Sequence, residues 1–155
     1  MGLNQNNVPI INEILNKVTA YCENQWLVIQ RRHNGFETSF NRTWREYSTG
    51  FGSLRGDFWI GLETISKLTK QRTYELLIEL TDWSDQFFIA KYDQFQISDE
   101  DDFYRLSISG SYKGNASKGK FLKILLYLTI TIKKIIFSLQ FNKDFLEDSY
   151  FGILN

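Results

Sequence analysis

The chain has 155 residues, a length typical of a single globular domain. Hydrophobic residues make up 43% of the sequence and aromatic residues 16%. Its 18 basic and 18 acidic side chains cancel. This balance argues against a nucleic-acid partner, because neutralising phosphates needs a basic surface. The sequence holds one cysteine, Cys22, and one histidine, His33. An intramolecular disulfide and a zinc site built from several such ligands are therefore excluded.

The N-terminal segment is polar and then amphipathic. Residues 1–9 are rich in asparagine and contain the only proline, Pro9, so we predict that they are disordered. They show no charged stretch followed by an apolar run, so no signal peptide is visible. Residues 10–21 place apolar side chains at helical spacing. Two heptads fit this spacing, which leaves an oligomerising helix open, but we favour a short helix or strand that packs on the domain.

Residues 26–61 combine large aromatic side chains with regularly placed glycines, and three of the four tryptophans lie here. The apolar run at 26–31 predicts a strand. A helix is predicted over 43–48, with Trp44, Tyr47 and Phe51 on one face and Gly50 and Gly52 ending it. A second helix is predicted over 61–68. The stretch is typical of a core nucleus and not of a catalytic loop.

An all-β region follows. Residues 74–83 predict a strand, Ser84 and Asp85 a turn, and residues 87–97 the returning strand of an antiparallel hairpin. Residues 104–116 continue in the same alternating pattern.

These motifs resemble the fibrinogen C-terminal domain, the globular recognition module of fibrinogens, ficolins, angiopoietins, tenascins and many insect secreted proteins. Residues 26–32 read WLVIQRR where the family has W-T-V-I-Q-R-R. Residues 40–61 follow F-x-R-x-W-x-x-Y-x-x-G-F-G-x-L-x-G-E-F-W-L-G, with Asp57 for Glu and Ile60 for Leu. Residues 74–83 match Y-E-L-x-V-x-L-x-D-W, and residues 104–116 match Y-x-L-x-V-x-G-x-Y-x-G-x-A.

The resemblance implies an α+β fold, a truncated fibrinogen C-terminal-like domain with an antiparallel sheet and two short helices. It also implies a structural core of motif residues. These are Trp26, Arg31, Trp44, Tyr47, Gly50, Phe51, Gly52, Gly56, Trp59, Gly61, Tyr74, Trp83, Tyr92 and Tyr104. In the family a cysteine at the position of Cys22 pairs with one upstream. No upstream cysteine exists here, so Cys22 is expected to be unpaired.

The resemblance stops at Ala116 and sets three expected regions: an extension at 1–17, the partial domain at 18–116 and an unrelated tail at 117–155. In residues 118–155, 28 of 38 residues are Lys, Ile, Leu, Phe, Asn or Tyr. Most of these residues have AT-rich codons, and we hypothesise translated intron or frameshifted sequence. Lysines interrupt residues 121–141, so a membrane span is not expected. A strand or helix that covers an exposed edge of the domain fits better.

Several residues are candidates for metal, ion-pair or glycosylation sites. The acidic run at 99–102 lacks the spacing of a calcium loop, and we interpret it as a solvated turn. The family's calcium ligands belong to the half that has no counterpart here, so no cofactor is expected. Arg31 and Arg32 are expected to form salt bridges. Asn41 and Asn115 begin N-glycosylation sequons. No catalytic signature is present.

By resemblance, the chain is expected to be a non-enzymatic, extracellular, lectin-like or receptor- or matrix-binding protein, truncated before the calcium and ligand-binding half. Its partners would be carbohydrate or a cell-surface or matrix protein. Two alternatives stay open. One is an oligomerising fragment acting through residues 10–21, whose assembly Ile14→Asp would abolish. The other is an incomplete gene product without independent function.

Overall fold

A computed structural model describes residues 20–33, 38–115 and 132–141 of the chain. The expected helix at 10–21 lies almost wholly outside these residues, as do residues 116–131 and 142–155. Within the described ranges the strands are Tyr21–Glu23 (β1), Trp26–Arg32 (β2), Phe51–Gly52 (β3), Phe58–Trp59 (β4), Tyr74–Asp82 (β5), Phe87–Ile97 (β6), Leu106–Gly114 (β7) and Ile132–Phe141 (β8). Two α-helices, Trp44–Thr49 (α1) and Leu62–Gln71 (α2), and a short 3₁₀ turn, Glu100–Asp102, accompany them.

The strands form one antiparallel sheet in the order β3-β4-β2-β8-β5-β6-β7, with β1 also paired to β2. The expected α+β class, with an antiparallel sheet and two short helices, is confirmed. Asn24 and Gln25 both have positive φ, 49° and 70°. This is the geometry of the two-residue hairpin turn that suits the twist of antiparallel strands, and it joins β1 to β2.

The two helices begin and end for local reasons. The hydroxyl of Thr43 accepts from Glu46 N, and the Glu46 carboxylate accepts from Thr43 N, which is a complete capping box for α1. Gly50 ends the helix with φ 96°, and a Cβ there would lie 2.7 Å from the oxygen of Ile60. Only glycine satisfies both conditions. The second helix runs three residues beyond the predicted end and buries Ile65 and Leu68.

The core lies on the face of the sheet that α2 covers. Strand β5 alternates buried and partly buried residues along most of its length, which is the period of a strand with one covered face. The buried side chains come from β2, β4, α2, β5, β6 and β8, and Leu68, Ala90, Val28, Ile65 and Leu139 are among the most deeply buried.

The tail contributes a central strand, which corrects the expected region boundaries. Strand β8 lies between β2 and β5 and pairs with both, with Ser138 opposite Val28 on one side and Leu77 on the other. Ile136 and Leu139 are buried. The sequence set residues 117–155 apart as unrelated, but Ile132–Phe141 belongs to the sheet. This largely apolar strand fills the space between the edges of β2 and β5, and the order of elements in the sequence does not indicate that such a space exists.

In the described part of the chain, no helix has the length and apolar character needed to cross a bilayer.

Candidate functional site

Arg31 clamps the turn between β3 and β4. Its Nε donates to the oxygen of Gly56 at 2.8 Å, and its Nη2 donates to the oxygen of Leu54 at 2.6 Å. The guanidinium also lies over the rings of Tyr21 and Phe58, at 4.6 and 5.5 Å from their centroids. Main-chain carbonyls and aromatic rings, rather than the expected carboxylates, therefore hold this arginine. Its role is structural, because two hydrogen bonds and two aromatic rings already occupy the guanidinium group.

Asp57 holds the chain on the other side of the same turn. It is 1% exposed, and its Oδ1 accepts from the backbone N of His33 at 2.6 Å. Its Oδ2 has no hydrogen-bond partner among the residues that the structure describes. A buried carboxylate oxygen without a partner carries a desolvation cost. Asp57 therefore ties the end of β2 to the start of β4.

The side chains of four aromatic residues pack together, and we name this group the aromatic platform: Phe40, Tyr47, Phe51 and Trp59. The ring of Phe51 meets the rings of Phe40 and Tyr47 edge-on, each with centroids 5.1 Å apart. Tyr47 donates its hydroxyl to the oxygen of Phe40 at 2.8 Å, and Trp59 donates Nε1 to the oxygen of Tyr47 at 2.7 Å. Partial burial raises the pKa of Tyr47, so its hydroxyl remains a donor throughout the neutral range.

The implied core residues do not all lie in the core. Tyr74 and Tyr104 are buried, and Trp26, Arg31, Tyr47, Phe51, Trp59 and Tyr92 are partly buried. Trp44 and Trp83, in contrast, are 53% and 56% exposed. Placing these two tryptophans in the core is corrected by the structure. The spacing of residues in a helix or strand indicates on which face a large side chain lies. It does not indicate whether another element of the fold covers that face.

Trp44 takes part in an exposed apolar surface around Tyr104. The two rings lie 5.9 Å apart, and the Tyr104 hydroxyl is hydrogen-bonded to Ser48 Oγ at 2.9 Å. Phe103, just before Tyr104, is 79% exposed, and Leu106, two residues after it, is 56% exposed. We name the exposed side chains of Trp44, Phe103 and Leu106 the Phe103 surface. Sequence reasoning missed it, although a phenylalanine directly after an acidic turn was a visible signal.

The backbone holds Phe103 in place. Phe103 and Tyr104 both have left-handed conformations, with φ 53° and 51°. This conformation is rare for bulky residues because it costs free energy, and it persists only where surrounding contacts enforce it. The contacts are main-chain hydrogen bonds: Phe103 N donates to Glu100 O at 2.9 Å, and Tyr104 N donates to Asp99 O at 2.8 Å. The result is a hydrogen-bonded corner of the main chain from which a large aromatic side chain extends into solvent.

The acidic run at 99–102 builds this corner. Asp99 Oδ1 accepts from Asp102 N at 3.3 Å, while its Oδ2 pairs with Lys70 at 2.6 Å. The Lys70 ammonium is the main reason that the pKa of Asp99 lies below its ordinary value. Asp102 pairs with Arg105 at 2.7 Å. Across the described ranges, no three Asp, Glu, His or Cys side chains are grouped so as to hold a metal ion.

The other predicted site residues lie apart from this surface. Cys22 is a free thiol on β1, where desolvation raises its pKa. A raised pKa reduces the thiolate fraction and with it the reactivity. Asn41 lies before α1, and Asn115 lies at the end of β7. A polar depression of about 290 Å³ lies near Lys70 and Gln94. The ammonium group of Lys70 already pairs with Asp99 and is not free to bind a ligand there.

Comparison with known proteins adds a family context. The profile described as "Fibrinogen beta and gamma chains, C-terminal globular domain" matches residues 8–140. Human angiopoietin-related protein 1 is 46% identical over 101 residues, which is 62% of this chain and 20% of that protein. Human tenascin-R is 40% identical over 109 residues, which is 67% of this chain and 8% of that protein.

Solved structures show the same likeness. The fibrinogen-like globe domain of human ANGPTL6 superposes with a TM-score of 0.63 at 39% identity, covering 68% of this chain and 50% of that one. Lamprey fibrin D-dimer, solved in complex with the peptide Gly-His-Arg-Pro-amide, superposes with a TM-score of 0.57 at 41% identity, covering 64% of this chain and 32% of that one. The chain thus spans a fifth or less of these curated relatives and about half of the solved globe domain.

Proposed function

Because this chain belongs to the family of the C-terminal globular domain of fibrinogen beta and gamma chains, we propose that it acts as a non-enzymatic recognition domain outside the cell. The proposal extends to this chain the recognition role that its family resemblance implies. No set of side chains in the described ranges is arranged for acid–base or nucleophilic work. The polar groups of Arg31, Tyr47 and Trp59 instead donate to main-chain carbonyls.

The Phe103 surface is the observation that carries the proposal. The side chain of Phe103 is 79% exposed, and its main chain is fixed by hydrogen bonds. Large aromatic side chains held in one conformation contribute strongly to binding, since little conformational entropy is lost when they are covered. Trp44, which contacts the neighbouring Tyr104, and Leu106 are exposed as well, and a group of exposed apolar side chains is typical of an interaction surface.

We propose a cell-surface or matrix protein as the partner of this surface, and carbohydrate as the alternative. Sugar binding needs polar groups beside an aromatic ring. The carboxylates of Asp99 and Asp102 are already paired with Lys70 and Arg105. The neighbours on β7, Leu106 and Ile108, are exposed and aliphatic. An apolar surface of this composition suits a protein interface better than a sugar.

The test compares two exposed phenylalanines. The chain is secreted from cultured cells with an added leader, and its binding to a panel of cell types and their deposited matrix is measured by fluorescence. We expect Phe103→Ser to weaken binding roughly tenfold or more. Phe87→Ser removes a half-exposed aromatic from the distant β5–β6 hairpin and should leave binding unchanged.

Three results would count against the proposal. Equal loss for Phe103→Ser and Phe87→Ser would show that the Phe103 surface is not the binding site. Competition by N-acetylglucosamine, with no effect of Phe103→Ser, would favour carbohydrate recognition. Absence of binding to all cells and matrices would remove the recognition function itself.

A further inference from the structure

The chain contains two N-glycosylation sequons, and their asparagines have different environments. The first is Asn41-Arg-Thr43, and the second is Asn115-Ala-Ser117. By sequence alone both are acceptors. In the described part of the structure, the side-chain amide of Asn41 makes no hydrogen bond, whereas that of Asn115 is bonded to strand β6.

Asn115 uses both of its amide atoms to extend the pairing of β6 with β7. The regular ladder ends with Ala90 opposite Gly114. Beyond it, Asn115 N donates to Ile89 O at 3.2 Å. Its Oδ1 accepts from Ile89 N at 2.8 Å, and its Nδ2 donates to Phe87 O at 3.0 Å. The side chain therefore satisfies two main-chain groups of β6 that would otherwise lack a partner from β7.

Glycosylation would break this contact for a stereochemical reason. The two bonds run from one edge of the planar amide to one edge of β6. The hydrogen that Nδ2 donates is consequently the one on the same side as Oδ1. In a glycosylated asparagine the amide becomes secondary and adopts the trans form, as a peptide bond does. The sugar carbon then occupies the position on the Oδ1 side, where Phe87 O now lies.

Asn41 has no such constraint. It lies in the irregular segment just before α1 and is exposed. Its backbone N donates to Ser39 Oγ at 3.3 Å, and its side-chain amide has no hydrogen-bond partner among the described residues. Thr43, the third residue of this sequon, is also exposed, and it caps α1 through its hydroxyl. A glycan on Asn41 would extend into solvent without disturbing the aromatic platform.

We infer that Asn41 carries an N-linked glycan in the mature protein and that Asn115 is a structural amide that stays unmodified. The inference rests on the proposed extracellular function, since only chains in the secretory pathway meet the sugar transferase. Transfer to a sequon precedes completion of the fold. A chain glycosylated at Asn115 loses the two side-chain bonds that extend the β6–β7 ladder, so it is less stable and is depleted from the folded, secreted population.

The experiment maps occupancy directly. The full chain is secreted from eukaryotic cells behind a heterologous leader, and peptide N-glycosidase in heavy-oxygen water converts each occupied asparagine to a labelled aspartate, read by peptide mass spectrometry. We expect a label at Asn41 alone. Ser117→Ala removes the second sequon without touching Asn115 and should leave the glycan mass unchanged. Asn41→Gln should remove the glycan completely.

A second measurement tests the structural role of Asn115 without any glycan. In bacterially produced protein, Asn115→Asp replaces the donor with a carboxylate oxygen that faces Phe87 O, and we expect a lower Tm. Asn41→Asp is the matched control and should leave Tm unchanged. A labelled Asn115 in folded, secreted protein, an unlabelled Asn41, or equal Tm for the two variants would overturn the inference. Since the leader is supplied, these outcomes are independent of the binding that tests the proposed function.

Discussion

At the scale of single residues, the motif side chains serve mainly as connections to distant main chain. Arg31, Tyr47 and Trp59 each donate to carbonyl oxygens that lie 7 to 25 residues away in sequence. A buried carbonyl that loses its donor costs about 1–3 kcal/mol. These side chains therefore stabilise the segments whose carbonyl groups they bind.

Glu46 gives a prediction at this scale. Its pKa lies below the ordinary value of 4.5, chiefly because it accepts from the backbone N of Thr43. A lowered folded-state pKa means that its contribution to stability is present above the ordinary pKa and is lost as the pH falls through the folded-state pKa. We expect Glu46→Ala to lower Tm at neutral pH, and we expect the difference from wild type to shrink in acid well below pH 4.5.

The measurement is thermal unfolding followed by circular dichroism across this pH range. Glu46→Gln is the control, since its amide oxygen still accepts from Thr43 N and does not titrate in this range. Its difference from wild type should be smaller at neutral pH. A Glu46→Ala difference that is the same in acid and at neutral pH would contradict the assignment.

At the scale of elements, β8 joins the two parts of the sheet. On one side it pairs with β2, which carries β1, β4 and, through β4, β3. On the other side it pairs with β5, which carries β6 and β7. Without β8, both β2 and β5 would present open edges, which are a recognised aggregation hazard. The fold of residues 20–115 therefore depends on a strand that comes from the lysine- and isoleucine-rich tail.

Leu139 tests this dependence. It is buried in β8 opposite Leu27 and Leu76, so we expect Leu139→Ala to lower the free energy of unfolding by about 2–5 kcal/mol. The control is Leu106→Ala on the exposed face of β7, for which we expect a change within about 0.5 kcal/mol. Urea unfolding measures both. Equal, small effects would show that β8 does not belong to the cooperative unit.

At the scale of the whole molecule, independence from calcium stays a prediction. A site that binds only the folded state would raise the free energy of unfolding by about 2.7 kcal/mol when calcium is present at a hundred times its dissociation constant. We expect the full chain to show the same Tm in calcium and in a calcium chelator. A Tm that rises with calcium concentration would reveal a site and would bring calcium into the recognition proposal.

Much of the fold was predictable because its determinants are local. The glycine and aromatic spacing of residues 26–61, the turn at Asp85 and the apolar periodicity around Ile65 depend only on near neighbours along the chain. They correctly predicted the hairpin of β5 and β6, both helices and the α+β class. The same local patterns identified the family to which the chain belongs.

The position of β8, the exposure of Trp44 and Trp83, the outward corner at Phe103 and the role of the Asn115 amide were decided only by tertiary structure. Each depends on what lies opposite a residue in space. Hydrophobicity and spacing state that a side chain has a preferred face, but covering that face requires a partner from elsewhere in the chain. For Leu139 the fold supplied such a partner, and for Phe103, within the described residues, it left the side chain exposed.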